Sequence, residues 1–98
     1  MYSLAIDSAS ALGGIALTNG SETLAHLSLK GRLTHAENLL PEVESLLERA
    51  GLGLSDLKVL GVVLGPGSFT GVRIGVATVM GLARGLNIPA YGISTLRA

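Results

Sequence analysis

The chain has 98 residues, of which 48% are hydrophobic, 14% charged and 3% aromatic, with a net charge of +0 and no cysteine. This length predicts one domain, and the absence of cysteine excludes a disulfide framework and a thiolate metal site. Balanced charge, only two lysines (Lys30 and Lys58) and few aromatics argue against a domain that grips nucleic acid alone, which needs a basic stripe and stacking rings.

The mean hydropathy of +0.56 is high for a small soluble domain, whose surface normally carries roughly 25–35% charged residues. A sticky face, or half of something larger, is therefore expected. The start, Met1 to Asp7, has no basic leader region, and Asp7 interrupts its apolar run. No apolar run reaches the roughly 18 residues of a membrane span. A cytoplasmic protein without a membrane segment is the expectation.

In chain order, Leu4–Ile6 reads as a strand that ends at Asp7 and enters a turn of small residues, Ser8-Ala9-Ser10. Gly14–Thr18 reads as a second strand, and Asn19-Gly20 as a two-residue hairpin turn. Thr23–Leu29 is the third strand, with Leu27 and Leu29 alternating with His26 and Ser28. Thr34-His35-Ala36-Glu37 fits a capping box that opens a helix to Ala50, closed by Gly51. After a short turn at Ser55-Asp56-Leu57, Val59–Leu64 reads as a buried strand. The glycine-rich loop Gly65–Gly71 leads into a second helix from Thr70 to Leu86. That helix is apolar on nearly all sides, with Arg73 and Arg84 on one narrow stripe, so more than one side must be covered. Gly71, Gly75 and Gly81 lie in its body, where each costs about 1 kcal/mol relative to Ala, which suits a closely approaching backbone. Asn87-Ile88-Pro89 ends it, Ala90–Ile93 is a fifth strand, and Ser94 reads as the N-cap of a third helix. The order βββαβαβ predicts a mixed five-stranded sheet with helices packed on it, an α/β domain.

Two places could carry chemistry. Gly65, Gly67 and Ser68 sit in a strand–loop–helix junction whose free N–H groups and dipole suit an anion, although it matches neither a Walker A loop nor G-x-G-x-x-G. The alternative is a loop whose glycines serve only tight strand-to-helix packing. Asp7, with Ser8 and Ser10 beside it, could hold a magnesium ion through water, or Asp7 could simply cap its turn. His26 and His35 lie on different elements, so no metalloprotease pair, no metal-ligand set and no catalytic triad emerges.

Four segments together resemble the TsaB (YeaZ) family: Ala5–Ser10, Leu33–Pro41, Gly65–Ala77 and Gly92–Leu96. The resemblance runs through essentially the whole chain in order. It implies the actin-like ATPase fold, of the ribonuclease H type found in actin, sugar kinases and Hsp70 chaperones. Residues 1–98 would form its single N-terminal lobe, and the family's C-terminal lobe would be absent. It implies a non-catalytic scaffold subunit, without cofactor or metal, in the machinery that makes threonylcarbamoyladenosine on tRNA. The helical His pair that holds zinc in the related TsaD and glycoprotease-like proteins has no counterpart. The implied partners are TsaD and the ATPase TsaE, with tRNA reached only through the complex and a homodimer possible where TsaD is absent. The implied interface uses both helices, through Leu39, Val43, Gly71, Val72, Gly75, Val76 and Val79. Asp7, Ser8, Ser10, Gly65, Gly67 and Ser68 would then be vestigial phosphate loops. An ATP-dependent phosphotransferase or a glycoprotease-like peptidase is the alternative.

Overall fold

Leu4 and Ile6 of strand β1 (Tyr2–Asp7) alternate with smaller or polar neighbours, as do Ile15 and Leu17 of β2 (Gly14–Asn19). Period-two alternation sends all four to one face of a sheet, and in the computed structural model all four are buried. The structure describes residues 1–8, 13–28, 39–65 and 69–94. β1 and β2 pair antiparallel, with Leu4 opposite Leu17 and Ile6 opposite Ile15, and β2 pairs in the same sense with β3 (Glu22–Ser28). The β2–β3 turn falls one residue later than the Asn-Gly pattern predicts. Asn19 pairs with Glu22, and its side-chain oxygen accepts a hydrogen bond from the N-terminal amine at 2.8 Å. Gly20, at φ +67°, and Ser21 make the turn. Only the first of these two residues has positive φ, which is the type II′ pattern that suits a hairpin.

Helix α1 (Leu40–Arg49) carries Pro41 in its first turn and sends Val43, Leu46 and Leu47 into the core. Its end is a Schellman motif. Gly51, at φ +77°, donates to the Glu48 carbonyl at 3.0 Å, and Leu52 donates to the Leu47 carbonyl at 2.9 Å. The predicted capping box at Thr34–Glu37 lies outside the described residues. A 3-10 turn (Leu54–Asp56) follows, in which the Asp56 carboxylate accepts from the Gly53 N–H at 2.9 Å. Strand β4 (Leu57–Gly65), helix α2 (Phe69–Leu86) and strand β5 (Ala90–Ser94) complete the order. Asn87, at φ +57°, ends α2 as Gly51 ends α1, with the Ile88 N–H donating to the Ala83 carbonyl at 3.1 Å. Ser94 is the last residue of β5, and the third helix expected after it lies outside the described residues.

The strand order is β3-β2-β1-β4-β5, with β1–β4 and β4–β5 parallel. The sheet is mixed and five-stranded, as the element order predicts. Leu4, Ile6, Ile15, Leu17, Leu60 and Val62 share one face and one core cluster with Val43, Leu46 and Leu47 of α1 and Val79, Leu82 and Ala83 of α2. Both helices therefore cover the same side. α1 lies over β2 and β3, and α2 mainly over β4.

Leu60 is 1% exposed and sits between Leu4 and Ala90 in register. Leu60→Ala should cost about 2–5 kcal/mol, lowering the melting temperature by roughly 10 °C or more in a domain this size. Thermal unfolding followed by circular dichroism checks this, with Met80→Ala, at a surface position, expected to change little.

Candidate functional site

Because β1 and β4 run parallel, with Ile6 opposite Val62, their carboxyl ends emerge side by side. This is where ligands enter open α/β sheets. Asp7 and Ser8 leave the sheet there, Gly65 ends β4 there, and α2 begins four residues later. Gly65 holds φ +131°, a conformation that L side chains rarely adopt. The structure thus brings Asp7, Ser8 and Gly65 to one end of the sheet, while Ser10, Gly67 and Ser68 lie outside the described residues. Asp7 is half-buried and opposite Gly14 in the β1–β2 ladder. Among the described residues, no three His, Asp or Glu side chains come together as a metal-binding group.

Ser8 is fully buried, and the reason lies in α2. A Cβ built on Gly75 would run into the Ser8 hydroxyl and come within 3.3 Å of Val62 Cγ2. The glycine therefore lets the helix backbone settle onto the end of β1. The close approach that the helix glycines suggest is real at this position, but it is made to the domain's own sheet and not to a partner. Gly75 accordingly does not belong to an outward surface. Leu39, Val43 and Val79 are corrected in the same way, since each is 0% exposed within the core. Their helical spacing marks an inward face, and spacing alone does not say which body covers it. Val72 and Val76 are half-buried on the flanks of α2, and Gly71 lies in its first turn.

The outward face of α2 consists of Arg73, Ala77, Met80, Gly81, Arg84 and Gly85. Met80 is 49% exposed, and it lines a groove of about 290 Å³ with Ala83, Arg84, Ile88 and Ala90. A Cβ on Gly81 or Gly85 would meet nothing within 4 Å. Neither glycine is therefore required by packing among the described residues. Met80 and Gly85 were missed in the sequence because they lie between the obvious apolar repeats. The signal that could have found them is the mismatch between two costly glycines and a helix with so few charges.

The family model described as TsaD, tRNA N6-adenosine threonylcarbamoyltransferase, matches residues 30–98. The tRNA threonylcarbamoyladenosine biosynthesis protein TsaB of Escherichia coli is 44% identical over 96 residues, 98% of this chain and 41% of that protein. The chain belongs to the TsaB (YeaZ) family. Solved structures agree. YeaZ from Pseudomonas aeruginosa superposes with a TM-score of 0.80 at 36% identity, covering 97% of this chain and 43% of that one. A second Pseudomonas aeruginosa structure, described as similar to the peptidase YeaZ, reaches 0.83 at 40% identity, over 97% and 44%. The fold is thus the actin-like one of TsaB and TsaD proteins. The chain spans about two-fifths of the length of these relatives.

The Gly75–Ser8 contact generates a coupling prediction. Gly75→Ala alone should destabilise the domain by about 1–3 kcal/mol through overpacking, and Gly75→Leu should prevent folding. Adding Ser8→Ala to Gly75→Ala removes the hydroxyl that the new methyl meets and should recover part of the loss. A double-mutant cycle in urea measures this, and strictly additive costs would count against the contact.

Proposed function

We propose that this chain acts in the threonylcarbamoylation of tRNA as a non-catalytic partner subunit. It pairs with a TsaD-type protein, supports binding of a TsaE-type ATPase, and reaches tRNA only through that complex, in the cytoplasm. The observation that carries this reading is the outward face of α2. Ala77, Met80 and Gly81 there form a low-charge surface on which a second helix can approach closely. Val72 and Val76 flank it, and Arg73 and Arg84 are its only charges. The names of the relatives supply the pathway. Where the TsaD-type protein is absent, the same face pairs two copies of this chain. Apolar burial at about 25 cal/mol per Å² stabilises such a pair, but association costs hold it to roughly micromolar affinity. No helix among the described residues is long and apolar enough to cross a membrane.

A rival reading, a phosphotransferase or a glycoprotease-like peptidase, draws on the convergence of Asp7 with Gly65 and the N-terminus of α2. It also draws on the peptidase wording attached to one solved relative. The burial of Ser8 beneath Gly75 weighs against it, because that side chain is taken up in the packing of α2 against the end of β1.

Met80→Glu should weaken binding of a TsaD-type protein at least about tenfold, because the partner must desolvate a new charge, while the melting temperature stays within a few degrees. Calorimetry of binding beside thermal unfolding checks both, and an unimpaired complex would sink the α2 interface. The purified chain should also show no ATP or peptide hydrolysis. Turnover that disappears in Asp7→Ala would overturn the scaffold reading.

A further inference from the structure

Strand β3 closes one edge of the sheet, and among the described residues no strand pairs with its far side. In an antiparallel ladder, alternate residues turn their N–H and C=O groups away from the partner strand. Such an edge is a template for another chain, and natural proteins blunt it with charge, proline or a bulge. The first two devices are nearly missing here. Glu22 is the only Asp, Glu, Lys or Arg in β3, which contains no proline, while Leu24 is 40% exposed. The third device is present. Thr23 lies opposite Thr18 and Ala25 opposite Leu17, so Leu24 has no residue of β2 across from it. A residue inserted in this way breaks the ladder, bends the strand and increases its twist. It leaves two short regular pieces, Glu22-Thr23 and Ala25–Ser28, in place of one unbroken run.

We propose that Leu24 guards this edge, its bulge keeping β3 from pairing antiparallel with the β3 strand of a second copy of this chain. A second copy is the partner to be kept away, because two identical edges related by a two-fold axis present the same pattern to each other. With Glu22 as the one carboxylate of the strand, little charge repulsion opposes that pairing. The register also shows that the fold does not need the bulge. With Leu24 absent, Thr23 would still face Thr18 and Ala25 would still face Leu17. Every other pair keeps its partner, and each side chain its face of the sheet. Ala25 and Leu27 pack against the core from β3, whereas Leu24 takes no part in that cluster. Its role is therefore confined to the shape of the edge. The inference does not depend on the proposed function.

The test deletes Leu24 from the 98-residue chain. Parent and deletion variant both carry Met80→Glu, so that the α2 face adds nothing to self-association. Light scattering over a concentration series measures mass, and hydrogen exchange maps the contact. The parent should stay monomeric. The deletion variant should melt within a few degrees of the parent when dilute. As its concentration rises, its mass should double and the amides of Ala25–Leu27 should gain protection. Adding His26→Lys to the deletion should return it to a monomer, because an edge lysine sets like charges against each other. A deletion variant that folds and stays monomeric would overturn the proposal, as would doubling without protection in β3. Loss of folding on deletion would overturn it too, since Leu24 would then hold the sheet together.

Discussion

The close seat of α2 on the sheet, made through Gly75 above Ser8 and Val62, is the constraint on which the rest of the domain depends. A side chain at this position would lift the helix off the end of β1. Val79 and Leu82, further along the same inward face, would then lose their contact with the core. The seat also fixes the rotation of α2. Once Gly75 and Val79 point inward, Ala77, Met80 and Gly81 must point outward, because helical neighbours about 100° apart per residue cannot share a face. The surface proposed for a partner is thus the geometric complement of a packing contact inside the domain.

The same seat shapes the carboxyl end of the sheet. Asp7, Ser8 and Gly65 converge there, and α2 begins four residues after Gly65. In a nucleotide-binding member of such a fold, this is the natural place for phosphates. Here the Ser8 side chain is fully buried, close to the helix backbone at Gly75.

The sheet divides the molecule unequally. Its antiparallel side ends in β3, most of whose residues are exposed, an ordinary solvated edge. Its parallel side carries apolar residues on both faces, and among the described residues both helices lie on one of them.

The sequence by itself determined the elements and their order. Period-two alternation in Leu4–Ile6 and Ile15–Leu17, period-3.6 repetition in Val43–Leu47, and the breakers Gly51 and Asn87-Ile88-Pro89 are local signals, readable without a partner. The family was legible as well, because the Gly65–Ala77 segment is specific as a string of residues. Small local errors came from competing local physics, as where Asn19 is held in the ladder and the hairpin turn moves to Gly20-Ser21. What only the tertiary structure decided is which apolar residues look inward. Gly75, Val79, Leu39 and Val43 have the spacing of an interface, but spacing is the same whether the covering body is the domain's own sheet or another chain. That choice depends on where β1 and β4 lie relative to α2, and such long-range placement leaves no trace in the period of any one helix.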